Sequence, residues 1–211
     1  MKQFKNITTL VFDLGGVLID LDMKQCVQNF NQLGIENIDQ YLNHFAQAGI
    51  FMQLEKGEIS AEEFREELRK MSSKLLTDAQ IDEAWCSFLL DIPTKKLEML
   101  HELRKKFRVV VLSNTNAIHF PNTEKTVFTD RGRKMSDYFD KCYLSFQMRM
   151  AKPDVTIFET LLKLEQVEAN QCLFLDDGVK NIAQAQKLGI QTYLVVEHED
   201  LSFLLNPETF E

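Results

Sequence analysis

The sequence predicts an α/β architecture, a doubly wound parallel sheet interrupted by an inserted helical unit, and three observations carry that prediction. After residue 94, short apolar strand-like runs alternate with helical patterns, which is how parallel sheets with right-handed crossovers are written. A first apolar run, ITTLVF at 7–12, stands alone near the N-terminus. Residues 21–93 between them carry helical periodicity and no strand signal.

The run at 7–12 ends at Asp13 and the pair Gly15-Gly16, a buried strand followed by a turn. The segments 24–33, 38–47, 60–71 and 77–89 are amphipathic at helical spacing. Ser60 with Glu63, and Thr77 with Gln80, have the spacing of capping boxes. Gly34 and Gly57 mark breaks, and Pro93 closes the section. A helix over 94–106 sets Leu97, Leu100 and Leu103 on one side. The strand FRVVVL at 107–112 ends at Ser113-Asn114, residues 117–140 read as polar and irregular, and a short strand covers 141–144. Pro153 suits the first turn of a helix running to 166. QCLFL at 171–175 is a strand that ends at Asp176-Asp177-Gly178. A helix over 181–188 stops at Gly189, a last strand covers 191–196, and the tail reads as a short helix or irregular chain. The expected division is a core of 1–20 and 94–211 with a helical unit of 21–93.

Bulk properties narrow the function classes. A chain of 211 residues with a formal net charge of −8 lacks the basic excess of a nucleic-acid binder. An anionic small molecule stays possible, because a metal ion and a few basic side chains invert the field locally. The four cysteines, Cys26, Cys86, Cys142 and Cys172, form no C-x-x-C pair and no Cys/His cluster, which disfavours zinc and disulfide frameworks and fits a reducing compartment. No secretory signal and no apolar run of membrane-spanning length is visible, so a cytoplasmic monomer or homodimer is expected, with no membrane partner.

Three strands end in polar residues that packing does not require: Asp13, Ser113-Asn114 and Asp176-Asp177. Open α/β sheets bind ligands beyond the carboxyl ends of their strands, so these tips should converge. Lys152, just before Pro153, is placed to join them. The inventory suits phosphoryl transfer. Clustered carboxylates call for a hard cation such as Mg²⁺. A carboxylate can attack phosphorus. A lysine, a hydroxyl and backbone N–H groups can then stabilise the transferring charge.

Asp13-Leu14-Gly15-Gly16-Val17-Leu18, Val111-Leu112-Ser113-Asn114, Lys152-Pro153, and Leu175-Asp176-Asp177 with Asn181 resemble, in order and spacing, the four motifs of the haloacid dehalogenase superfamily. The D-L-G-x-V start and L-S-N-T-N second motif are similar to those of a bacterial subgroup of α-D-glucose-1-phosphate phosphatases. The resemblance implies a Rossmannoid core with an α-helical cap over 21–93. It also implies a Mg²⁺-dependent phosphomonoesterase acting on a small phosphorylated metabolite such as a sugar phosphate, through an aspartyl-phosphate on Asp13. Asp13 would be nucleophile and metal ligand, the Gly15 carbonyl a second ligand, and Asp177 the main ligand of the fourth motif with Asp176 direct or through water. Ser113 would bind the phosphoryl group with the Asn114 backbone or amide beside it, and Lys152 would hold nucleophile and phosphoryl charges together.

One position departs from the family pattern. Most such phosphatases carry a general acid/base aspartate two residues after the nucleophile, and here Gly15 stands there. That group is typically worth about 10²–10⁴-fold. Asp20 and Asp22 are weak substitutes. Two other readings follow from Gly15: a phosphate-ligand-binding protein that turns over slowly or not at all, and a metal-free 2-haloacid dehalogenase, whose halide needs no proton. The Asp176-Asp177 pair weighs against the latter.

Taken singly, each feature has a plainer reading. An Asp before Gly-Gly or Asp-Asp-Gly is most often a turn, and Lys before Pro is most often solvated. The order and spacing of four such tips favour the site. His44, His101, His119 and His198 read as surface or packing residues, the 16 phenylalanines as core and cap packing or an apolar cap–core interface, and Arg131, Arg133, Lys134 and Arg149 as solvated, with contact to an anionic substrate the lesser alternative. Glu208 and Glu211 in the tail read the same way.

Overall fold

The computed structural model describes residues 3–42 and 48–210; His44 and Glu211 lie outside them. The chain runs through β1 (Thr9–Phe12), α1 (Met23–Gln32), α2 (Gly49–Glu55), α3 (Ala61–Met71), α4 (Asp78–Cys86), α5 (Thr94–Leu103), β2 (Arg108–Ser113), α6 (His119–Thr123), β3 (Lys141–Leu144), α7 (Ser145–Met148), α8 (Val155–Glu165), β4 (Cys172–Asp176), α9 (Val179–Lys187) and β5 (Gln191–Leu194). The five strands form one parallel sheet in the order β3-β2-β1-β4-β5. The chain winds outward from β1 through β2 and β3, then crosses back to β4 on the other side of β1. The switch point therefore lies between β1 and β4, where ligand crevices form in such sheets.

Alternation along the central strands feeds two cores. Leu10 and Phe12 of β1, Val109 and Val111 of β2, and Leu173 and Leu175 of β4 pack on one face with Leu97, Leu100 and Leu103 of α5. Val11, Val110, Leu112, Cys172 and Phe174 pack on the other, against Ile157, Phe158 and Leu161 of α8 and Ile182 and Ala185 of α9. A third core belongs to the helices between β1 and α5. There Phe30, Phe51, Phe64 and Trp85 meet at ring-centroid distances of 4.9–6.4 Å. Two chain crossings join this unit to the sheet, and they run side by side: Asp22 N–H donates to Phe88 O at 2.9 Å and Leu90 N–H to Asp20 O at 2.9 Å. Both expected capping boxes are present, Ser60 with Glu63 and Thr77 with Gln80.

The structure corrects four local readings. Of 38–47, the described part holds only a 3₁₀ turn at Ile38–Gln40. The helix α2 at Gly49–Glu55 has no counterpart among the sequence-predicted helices; it starts without a side-chain cap, so no start signal announces it. Residues 117–140 are not irregular. Asn116 Oδ1 accepts from the N–H groups of Ile118 and His119 at 3.0 and 2.9 Å, helical turns follow, and Ile118, Val127, Phe128 and Phe139 are buried. Pro153 does not enter α8. Asp154 caps that helix by accepting from Thr156 N–H at 3.0 Å, and its own N–H closes a turn onto Ala151 O at 2.9 Å. No helix among the described residues is long and apolar enough to cross a membrane.

Candidate active site

The carboxyl ends of β1, β2 and β4 converge, and the loop after β3 brings Lys152 between them. Lys152 is buried, and its Nζ lies 2.8 Å from Asp13 Oδ2 and 2.7 Å from Asp176 Oδ2. Asp13 follows β1, where its N–H still donates to Leu175 O, and its Oδ1 accepts from Leu14 N–H at 2.7 Å. Asp176 is fully buried at the end of β4. Its second oxygen accepts from Gly178 N–H at 2.7 Å and Asn181 Nδ2 at 2.9 Å. One oxygen each of Asp13, Asp176 and Asp177 lies within 4.8 Å of the others. Gly16, at φ +74°, makes that approach possible: a Cβ there would stand 2.0 Å from Asp177 Oδ2.

The charges are coupled. Burial pushes the Asp13 carboxyl up to about 7; Lys152 pulls it down, and Asp176 and Asp177 push it up. Burial alone would lower the Lys152 ammonium, but Asp13 and Asp176 outweigh it and hold it protonated. One ammonium among three carboxylates leaves the cluster anionic, which is the condition that favours a divalent cation.

A cavity of about 60 Å³ opens over the tips. Asp13, Gly15, Ser113, Asn114, Lys152, Asp177 and Asn181 line its floor, and Leu21, Glu55, Phe88, Leu89, His119 and Phe120 also line it. Of the two groups expected from Asn114, backbone or amide, the amide is already engaged. Its amide clamps the Lys152 backbone, Nδ2 donating to Lys152 O at 2.9 Å and Oδ1 accepting from Lys152 N–H at 2.8 Å. Its side chain therefore sets the height of Lys152, and only the backbone is left for a ligand. Ser113 Oγ has just a long 3.5 Å contact to Asn114 O and lines the cavity.

The description "haloacid dehalogenase-like hydrolase" matches residues 7–189, most of the chain and every tip just described. The protein belongs to this family. Among its relatives is the D-ribitol-5-phosphate phosphatase of Bacteroides thetaiotaomicron, 38% identical over 187 residues, which are 89% of this chain and 91% of that one. A haloacid dehalogenase family enzyme from the same organism, solved with magnesium and inorganic phosphate, superposes with a TM-score of 0.89 at 46% identity, covering 95% of this chain and all of that one. The 2-haloacid dehalogenase of Pseudomonas syringae, at 18% identity and a TM-score of 0.54 over 88% of this chain and 85% of that one, shares the fold alone.

Within this haloacid dehalogenase fold, the space of the missing acid/base is partly filled: a Cβ on Gly15 would meet Leu21 Cδ2 at 3.3 Å. Neither weak substitute lines the cavity. Asp22 caps α1 by accepting from Gln25 N–H at 2.8 Å. Asp20 faces Lys96 at 3.9 Å and His198 at 3.2 Å. Arg131 pairs with Asp91 at 2.6 Å, and Arg131, Arg133, Lys134 and Arg149 all lie off the cavity.

Two wall residues escaped sequence reading. His119 is buried, stacks on Trp85 at 4.1 Å, and donates Nε2–H to Trp85 O at 3.0 Å; burial drives its pKa down to about 4, so it is a neutral peg between α6 and α4. Its packing role agrees with expectation, and its place on the cavity is new. Glu55, the last residue of α2, is 9% exposed, and burial pushes its carboxyl up to about 8, with Asp13 adding to the rise and Lys152 opposing it. Its helix gave no start signal, so nothing in the sequence drew it toward Asp13.

Proposed function

We propose that this hydrolase is a Mg²⁺-dependent phosphatase that cleaves a small, polyhydroxylated phosphomonoester by attack of Asp13 on phosphorus. The observation that carries the reading is the buried ammonium of Lys152 shared between Asp13 and Asp176, beside Asp177, on the floor of one cavity. The magnesium and phosphate in the related enzyme, and the phosphatase activity of the other relative, support it.

The residues fit Mg²⁺. Three clustered carboxylates are hard oxygen donors, and the missing Cβ of Gly16 leaves room for Asp177 to approach. Asp13, Asp177 and the Gly15 carbonyl would hold the ion, with Asp176 at the periphery because Lys152, Gly178 and Asn181 already occupy its oxygens. When bound, Mg²⁺ supplies positive charge opposite the phosphoryl oxygens. Asp13 is aimed by its contacts to Leu14 N–H and Lys152, which leave the carboxylate a fixed orientation for in-line attack. Lys152 neutralises charge on the transferring group, and Ser113 Oγ donates to one of its oxygens. We further propose that residues 21–93 act as a cap on a core of 1–20 and 94–211, closing the cavity against water through Phe88, Leu89 and Glu55.

For the substrate, the ribitol-phosphate relative favours an alditol phosphate over a sugar 1-phosphate such as glucose 1-phosphate. The test is phosphate release from ribitol 5-phosphate, glucose 1-phosphate and 4-nitrophenyl phosphate, with Mg²⁺ or chelator. Mg²⁺-dependent release that Asp13→Asn lowers by about 10⁴-fold or more is expected. Metal-independent release, or an active Asp13→Asn enzyme, sinks the mechanism. Phosphate binding without release would identify a binding protein instead.

A further inference from the structure

Glu55 is a buried carboxyl on the cavity that the reaction above does not use. It is about nine-tenths buried and lines the cavity, and burial and the charges of Asp13 and Lys152, with no hydrogen bond, shape its acidity. A carboxyl that opens on a ligand cavity and has no protein hydrogen bond of its own is placed to bond the ligand. The nature of that partner follows from its surroundings. Asp13 acts on Glu55 through the field and repels a second anion, so the phosphoryl group belongs beside Lys152 and not here. Burial favours the neutral acid, which both accepts and donates a hydrogen bond. The neighbouring wall is apolar, with Leu21, Phe88 and Phe120. A carboxyl among carbon surfaces matches a chain that alternates C–H and O–H groups.

The placement is fixed from outside the cavity. Two residues after Glu55, Gly57 takes φ +64°, and a Cβ there would stand 2.2 Å from the carbonyl oxygen of Phe146 in α7. Only glycine lets the end of α2 press this closely on the segment that follows β3. That contact ties Glu55 to the framework that also carries Lys152, so the distance between phosphoryl site and carboxyl is set by the fold.

We propose that Glu55 is the specificity-determining residue of the helical unit, hydrogen-bonding a hydroxyl of the leaving group and so selecting alditol or sugar phosphates over plain alkyl phosphates. The inference rests on the phosphatase reading above. A site built to bond a hydroxyl rejects the analogue lacking it far more strongly than an apolar pocket rejects an added methylene.

The test compares ribitol 5-phosphate with n-pentyl phosphate, two alkyl esters of one chain length that differ in hydroxyls, on wild type, Glu55→Gln and Glu55→Leu with Mg²⁺. Wild type is expected to favour the ribitol ester in kcat/KM. Glu55→Leu should narrow that preference by about 10²-fold, chiefly through KM for the ribitol ester, and Glu55→Gln, which still accepts and donates, should restore part of it. Equal losses on both esters overturn the proposal and make Glu55 a proton-transfer or structural group. An unchanged ratio overturns it as well, while leaving the phosphatase reading intact. Release from neither of these esters nor 4-nitrophenyl phosphate by wild type overturns both readings.

Discussion

Two buried carboxyls from opposite regions of the molecule are solved differently, Glu55 on the wall of the cavity and Asp176 behind Lys152. Asp176, at the tip of β4, has every oxygen engaged: Lys152 on one, Gly178 N–H and Asn181 on the other. Glu55, at the end of α2, has no such partner among the described residues. The sheet tips form a self-contained charge device that holds its geometry with or without substrate. The helical wall leaves a polar group waiting. Buried groups that satisfy one another maintain a site, whereas a buried group left over marks where a ligand completes it.

The largest effect on this contrast comes from the sheet side. Lys152→Met removes the shared cation and leaves Asp13 and Asp176 facing each other in a buried site. Loss of one partner from a buried pair costs about 3–5 kcal/mol, so denaturant titration in chelator should show destabilisation of that order, with Mg²⁺ restoring part of it. A variant as stable as wild type would mean that the cluster carries little charge.

The helical side should respond to pH. Glu55 is raised from 4.5 to about 8 in the folded protein. Between those values the native state holds a proton that the unfolded chain has released, so stability falls as pH rises through this window. Asp13, raised by burial, contributes in the same direction. Melting temperatures between pH 4 and 9 in chelator should therefore decline for wild type and decline less for Glu55→Gln. Parallel curves for the two proteins would show that folding does not raise the Glu55 carboxyl.

A smaller effect probes the latch that joins the two regions. Gly57→Ala places a methyl against the Phe146 carbonyl at a left-handed backbone position, which should cost about 1–3 kcal/mol. The shift of α2 should also weaken the preference for ribitol 5-phosphate over n-pentyl phosphate. A thermal midpoint and a preference both equal to wild type would show that α2 is not held by this contact.

All five strands, and the carboxyl-end residues Asp13, Ser113, Asp176 and Asp177, were legible in the sequence. Each strand is a short, largely apolar run, those of β1, β2 and β4 stop at polar residues, and a parallel sheet puts these stops on one edge. The capping boxes at Ser60 and Thr77 were legible because they are local hydrogen-bond patterns. The helix α2 was not: seven residues with no cap and little polar contrast give no periodic signal. The clamp of the Asn114 amide on the Lys152 backbone was not legible, because an amide's partners are chosen by whatever backbone passes within 3 Å. Asp20 and Asp22, near Asp13 in sequence, lie off the cavity, while Glu55, far from it in sequence, lines it.

What the sequence by itself determined is the architecture, the order of its elements and the chemical kind of the site, since these depend on periodicity and on residue types at strand ends. Only the tertiary structure decided which side chains share the cavity and which are already taken. Burial, partner count and the field at Glu55 are properties of surfaces brought together from distant parts of the chain, and a buried carboxyl differs from a solvated one only in what surrounds it.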